Sequence, residues 1–326
     1  MKSLECDIFL GVFLGQPDMS TRTYHVPVLA EQVKDFLKPE PGRLILDGTS
    51  GGGGHSSILL GAGAEVIALD QDPAALQECR AHLAEFGEKV RFVESNFRDA
   101  CDALDALGET RLLHGALLDI GVSSHQLDEA ERGFSLLREG PLDMRMSPRA
   151  MQTAADVVNT LSASELTRIF HQYGEEPSAR RIASRIVHIR AEHPIQTTLD
   201  LAKAIESVCP RRGPKHPATR VFQALRIHVN DELGALRAAL AAIPTRLAPG
   251  ARFAVITFHS LEDRIVKVFF REHSREWIDR PEWPRPRRNP NHTFKLLTPH
   301  PITPGDLELQ RNPRARSAKL RVVEVV

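Results

Sequence analysis

Residues 44–57 read LILDGTSGGGGHSS. A short apolar run ends in an acid, and four consecutive glycines follow at 51–54. An apolar run of this length bounded by turn residues reads as a buried strand. A loop nearly without side chains lets backbone approach a ligand and supplies positive φ where it is needed. Outward from this point the chain alternates. GHSSILLGAG (54–63) is helical, EVIALD (65–70) is a second strand, and PAALQECRAHLAEFG (73–87) is an amphipathic helix with proline in its first turn. KVRFVESNF (89–97) and HGALLDIG (114–121) read as third and fourth strands. Strands of about five residues separated by helices predict an α/β fold, a Rossmann-like, doubly wound and mostly parallel sheet.

The alternation stops after Arg132. From there to Pro214 only helix signals occur. Ser162 and Glu165 form a capping box before LTRIFHQYG, SARRIASRIVHIRAE (178–192) is a basic amphipathic helix, and TTLDLAKAIESV (197–208) is another. ATRVFQALRIHVNDELGALRAALAAI (218–243) reads as one long helix, and APGARFAVITFHS (248–260) as a glycine turn into a fifth strand. RPEWPRPRRNPNHTF (280–294) reads as loop, and AKLRVVEVV (318–326) as a strand at the sheet edge. The expected organisation is an extension at 1–23, a first core segment with the cofactor site at 24–131, an inserted helical domain for substrate recognition at 132–214, and a second core segment with a basic end at 215–326.

Composition bounds the function. Residues 1–130 carry 10 Lys and Arg against 21 Asp and Glu, residues 131–220 carry 14 against 10, and residues 280–326 carry 10 against 4. An acidic first part with basic later parts suits a polyanion held on one side of the molecule. Cys6, Cys79, Cys101 and Cys209 share no metal or disulfide spacing, and no HExxH is present, so no metal is expected. DIFLGVFLG (7–15) is too short to span a bilayer and lacks a clear cleavage site. Met19 opens a stretch that reads like a natural start, so residues 1–18 are expected to lie outside the fold, and the protein in the cytoplasm.

In a doubly wound sheet, ligands sit at the carboxyl ends of the strands near the switch point. The glycine loop is then the pocket floor. Asp70 ends the second strand 23 residues after Asp47, a position that suits both ribose hydroxyls of an adenosine. NAD and S-adenosylmethionine both fit this outline, and charge separates them. A pyrophosphate over the loop would be repelled by Asp47, and the spacing is not GxGxxG. An ammonium and a sulfonium would be attracted, so the loop favours S-adenosylmethionine. Phe97, after the third strand, is placed either to pack on an adenine or in the core. Asp119, at the end of the fourth, is placed either for ligand or substrate amines or to cap a turn. Ser123 and Gln126 share its loop.

DGTSGGGGHS, LLDIGVSSHQLDEAERGFS, KHPATRVFQALRIHVNDEL, TFHSLEDRIVK and NPRARSAKLR together resemble the RsmH (MraW) family, over about Tyr24 to Val323. The resemblance implies a Rossmann-like methyltransferase with an inserted helical domain, which transfers methyl from S-adenosylmethionine to N4 of a decoding-centre (P-site) cytosine in 16S rRNA. It implies cofactor contacts from Gly53, Gly54, His55, Asp70, Phe97, Asp119 and Gln126; His55 and Gln126 rest mainly on it. The chain has Gly52 where arginine, and His125 where proline, is usual in the family. Many amino-methyltransferases accept the amine proton at an (Asp/Asn/Ser)-Pro-Pro-aromatic stretch; this chain has DIGV there. Asp119 or a neighbouring loop group is the candidate acceptor. His259 and Ser260 are placed either to contact a flipped cytosine or to form a structural turn. Arg180, Arg181, Arg185 and Arg190 with Arg285, Arg287 and Arg288 are the phosphate candidates. The substrate is expected within a small ribosomal subunit, and a homodimer is open. The rival readings are a DNA cytosine methyltransferase, a nicotinamide oxidoreductase and a non-catalytic RNA-binding assembly factor.

Overall fold

The computed structural model describes residues 27–211, 213 and 216–326, so the extension expected at 1–23 lies outside the described residues, as does the side chain of His125. The first helix, α1 (Ala30–Leu37), precedes β1 (Leu44–Asp47), and α2 (Gly54–Gly61) follows the glycine loop. Then come β2 (Glu65–Asp70), α3 (Pro73–His82), β3 (Val90–Glu94), α4 (Ala100–Ala106) and β4 (Leu113–Asp119). β1 is buried along its whole length, as a strand covered on both faces must be. Asp72 caps α3 by accepting the Ala74 N–H, with Pro73 in the first turn where its missing N–H costs nothing.

After β4 the chain turns helical: α5 (Ser124–Asp128), α6 (Ala154–Thr160), α7 (Ala163–Gly174), α8 (Ala179–Arg190), α9 (Thr198–Glu206), α10 (Thr219–Asn230) and α11 (Glu232–Ala242). Three of these begin with complete capping boxes, Thr153 with Asp156, Ser162 with Glu165 and Thr197 with Asp200. β5 (Leu247–Thr257), α12 (Ser260–His273), β6 (Trp277–Ile278), β7 (Arg287–Arg288), β8 (Phe294–Leu296), α13 (Asp306–Arg311) and β9 (Lys319–Val325) complete the chain.

The main sheet has the order β3-β2-β1-β4-β5-β9-β8. β1 to β5 are parallel, and β9 runs antiparallel between β5 and β8. The expected Rossmann-like sheet is therefore present, but the last strand is not its edge: the three-residue β8, too short to show a period, covers it. One face packs on α4, α11 and α12 through Ala103, Leu236, Leu240 and Phe270, and the other on α1, α2 and α3 through Leu37, Leu59 and Cys79. A third apolar cluster joins α6 to α10, and includes Phe170, Ile182, Ile186 and Leu201. It runs past residue 214 to take in Val221, Phe222 and Leu225 of α10.

Two local expectations fail. The long helix at 218–243 is broken at Asp231, which has φ 46°. The Asn230 side chain donates to Met144 O and accepts the Met146 N–H, and these ties end α10. The stretch at 280–294 is not all loop: β6 and β7 pair as a hairpin. It is fastened by Asn289, whose Nδ2 donates to Glu272 O and Arg275 O at 2.8 Å each.

A cavity at the switch point of the sheet

The strand order reverses between β1 and β4, and a cavity of about 750 Å³ opens at their carboxyl ends. Its floor is the glycine loop. Asp47 lies beneath that floor, fully buried, and is not among the lining residues. Its carboxylate accepts the Ser56 hydroxyl at 2.7 Å and the Thr49 N–H at 3.2 Å, which fastens the loop to α2. Burial pushes its carboxyl above the ordinary value, against the Ser56 bond. Gly53 also turns away from the cavity. It caps α2 at φ 86°, and a Cβ there would meet Cys79 Sγ at 3.0 Å. Gly53 thus shapes the loop from the core side, whereas Gly54 lines the cavity.

Asp70, His55, Phe97, Asp119 and Gln126 all line the cavity. Asp70 accepts the N–H groups of Gly51 and Asp72, each at 2.9 Å, so it ties the loop to the end of β2. Burial raises its carboxyl to about 6. The Asp119 N–H donates to Thr49 Oγ1 at 2.6 Å, and its Oδ2 stands 3.4 Å from His55 Nε2. Burial alone would lower the His55 imidazole, but the carboxylates of Asp119, Asp47 and Glu308 reverse that and hold it above its ordinary value. Gln126 Nε2 donates to Asp72 Oδ2 at 2.9 Å, and its Oε1 accepts the Ser123 N–H. Arg132 joins the same Asp72 oxygen at 2.6 Å and donates to Arg145 O and Met146 O. The start of α3 is therefore the hub that sets α5 and the helical segment over the cavity.

His259 is not in the lining. It caps α12, with Nδ1 accepting the Glu262 N–H at 3.4 Å, while Glu262 accepts the N–H groups of Phe258 and His259. Glu232, His259 and Glu262 bring possible ligand atoms within 4.8 Å of one another. With Nδ1 facing the Glu262 N–H and Nε2 3.0 Å from Glu262 Oε1, the imidazole is engaged by the turn itself. His259 thus forms the structural turn at the start of α12. Ser260 Oγ donates to Glu175 at 2.9 Å.

The phosphate candidates divide. Arg181 donates to Val208 O, Arg185 to Ser207 Oγ and Arg190 to Val158 O, so these three are engaged in packing the helical segment. Arg287, with Arg280, lies over the Trp283 ring at 4.8 and 5.0 Å, and the Arg287 and Arg288 side chains are exposed on β7.

Several lining residues carry no role from the sequence alone: Arg226 and Glu232, paired through two bonds of 2.7 Å, and Phe258, Asn312 and Arg314. All lie in stretches whose resemblance is noted above, but neither period nor spacing directs them to one cavity. Ser50 Oγ, His55 Nδ1, Asp119 Oδ1 and Asn312 Oδ1 are buried without hydrogen-bond partners, and His55 Nε2 has the Asp119 carboxylate at 3.4 Å. Buried polar atoms are rarely left so, and here they stand around a space that can take a ligand.

A protein named Ribosomal RNA small subunit methyltransferase H from Heliobacterium modesticaldum is 50% identical over 310 residues, covering 93% of this chain and 99% of its own length. Its namesakes from Anaeromyxobacter dehalogenans and Rhizobium johnstonii are 51% and 52% identical, covering 94% and 91% of this chain and 99% and 86% of their own. The solved structure of an rRNA methylase from Streptococcus thermophilus aligns over 93% of this chain and 99% of its own at a TM-score of 0.42 and 11% identity, a likeness too distant to bear on fold or activity. Residues 22–326 match the model of the MraW methylase family, and with half of all positions shared with relatives over nearly its full length, the chain belongs to that family.

Proposed function

We propose that this protein transfers a methyl group from S-adenosylmethionine to the N4 amine of a cytosine in the decoding centre of 16S rRNA. The observation that carries the cofactor is the charge of the cavity. Asp70 and Asp119 stand in its wall and Asp47 lies under its floor, while the lining cations Arg226 and Arg314 are each paired, with Glu232 and Asp128. Such a space repels a pyrophosphate and suits an ammonium and a sulfonium. Asp70 would hold the ribose hydroxyls, Phe97 the adenine, and Ser50 and His55 the amino-acid end, where unpaired polar atoms wait. Bound there, S-adenosylmethionine supplies a methyl group already activated by its sulfonium.

The chain's own task is then orientation and proton transfer. Orientation of a bound pair can lower a barrier by roughly 7–11 kcal/mol. Asp119 Oδ1, buried and unpaired, is the acceptor for the amine proton, and His55 beside Oδ2 steadies the carboxylate. The names of the relatives support small-subunit rRNA as the substrate class. The helical segment, which we take to end nearer residue 230 than 214, and the arginine-rich hairpin supply the RNA-facing surface. A target base must leave its stack to enter a cavity of this kind. We take an assembled subunit rather than free rRNA as the substrate, since the decoding centre is a feature of the folded particle.

Labelled methyl transfer to small subunits from a strain lacking this gene, with mass spectrometry of the digested rRNA, tests the reading. N4-methylcytosine at one decoding-centre site is expected. Transfer to DNA instead would select the DNA methyltransferase reading, and cofactor binding without transfer to any nucleic acid the non-catalytic one.

A further inference from the structure

We infer that the cavity has a base pocket in which Phe258 stacks on the target cytosine and Asn312 accepts one hydrogen of its amine. This rests on the function proposed above and names residues that neither the sequence motifs nor the relatives assign. A primary amine carries two hydrogens, and among the unpartnered buried atoms described in this lining two are carboxylate or amide oxygens, which accept and do not donate: Asp119 Oδ1 and Asn312 Oδ1. With both hydrogens held, the nitrogen lone pair is left to point at the methyl donor.

The backbone of Asn312 is fixed on both sides while its amide is not. Its N–H donates to Glu308 O at 2.7 Å, and its carbonyl accepts the Ala315 N–H at 3.0 Å. The segment is clasped over the cavity at two points: Glu308 accepts the Leu29 N–H at 2.7 Å, and Arg314 reaches Asp128 at 2.7 Å. A residue so held, only 7% exposed, with an unused acceptor in a cavity wall, is placed for a ligand donor.

Phe258 supplies what the DIGV stretch lacks. That stretch has no aromatic after Asp119, but Phe258, one residue past β5, lines the same cavity beside it. Its N–H is anchored by the buried Glu262 at 2.8 Å. Its ring lies against Gly121, whose φ of 143° and missing side chain make the approach possible: a Cβ there would stand 3.3 Å from the ring. An aromatic face takes a base from a single strand through stacking, and the acceptor beside it selects an amine.

The test uses the full chain, S-adenosylmethionine and unmethylated small subunits, with turnover, cofactor affinity by calorimetry and melting temperature read together. Asn312→Ala should lower kcat/KM by roughly tenfold or more. Cofactor affinity and melting temperature should not move, because the side-chain oxygen has no protein partner to lose. Asn312→Asp, which keeps an acceptor, should recover activity relative to Asn312→Ala. Phe258→Leu should lose about tenfold while Phe258→Tyr stays near wild type. Unchanged turnover in Asn312→Ala, or a parallel loss of cofactor affinity, or Asn312→Asp no better than Asn312→Ala, would overturn the pocket while the wild-type enzyme still upholds the reaction. A wild type that transfers nothing to a cytosine amine would overturn both.

Discussion

Protons should compete with the cofactor at Asp70. Its carboxyl is raised by burial to about 6, and to hold two ribose hydroxyls it must be ionised. At pH 5 about one molecule in eleven has Asp70 ionised, against about nine in ten at pH 7. Cofactor binding should therefore weaken about tenfold between pH 7 and pH 5, or ~1.4 kcal/mol. At pH 6 the free protein is half protonated and the complex is not, so binding should release about half a proton per site. Isothermal titration in buffers of different ionisation enthalpy reads both quantities. His55 titrates nearby, so Asp70→Asn is the control: it binds more weakly, but its slope below pH 6 should vanish. A wild-type affinity flat from pH 5 to 7, or proton uptake on binding, would refute the reasoning. In the free protein a carboxyl held above its ordinary value adds stability only at low pH, and that contribution fades as pH rises through about 6. The cofactor is what makes the ionised site tolerable.

Four other outcomes follow from particular contacts. Glu262→Ala removes the acceptor of two backbone N–H groups at the start of α12 and should cost about 2–4 kcal/mol in urea unfolding; a loss under about 1 would mean that water serves them as well. Gly140→Ala would set a Cβ 1.9 Å from Ala130 O and should destabilise by about 2 kcal/mol or more, visible as a lower melting temperature. Arg111, then Arg91, holds the Glu109 carboxyl down at about 2. Its contribution is present above the ordinary glutamate range and lost as pH falls toward 2. With half-exposed partners it amounts to about 1–2 kcal/mol, measurable as a gap between wild type and Glu109→Gln that closes in acid. Finally, Arg287→Ala and Arg288→Ala should each reduce the salt slope of RNA binding by about 1, whereas Arg181→Ala should lower stability and leave the slope alone; the reverse result would move the RNA surface to α8.

Much of this site is legible in the sequence because parallel strands deliver their last residues to one edge. Asp70 and Asp119 end the second and fourth apolar runs, and the glycine loop follows the first run, which ends at Asp47, so alternation alone brings them together. The direction of Asp47 is not legible: the Ser56 hydroxyl, one turn into α2, draws it under the loop. Nor is the break at Asp231, where the apolar helical period runs on while Asn230 binds the distant Met144 and Met146 backbone as well as Arg226 O of its own helix. Arg226, Glu232, Phe258 and Asn312 reach the cavity through tertiary packing, which no local period records. His259 shows the opposite difficulty. Its spacing to Glu262 fits both a cap and a contact, and the direction of one ring nitrogen decides between them.

The sheet also sets the order in which the protein can be made. β4 and β5 are neighbours in the middle of the sheet, yet one ends at residue 119 and the other begins at 247, with the whole helical segment between them. Bringing such distant stretches together is slow compared with forming local helices. As the chain leaves the ribosome, the glycine loop and the first four strands are complete while the apolar flank of β4 has no partner. The intervening helices, each with its own caps, can assemble during that interval. The enzyme's two halves become one only when β5 docks, and the exposed edge of β4 is the point at which a chaperone, or an aggregate, would first take hold.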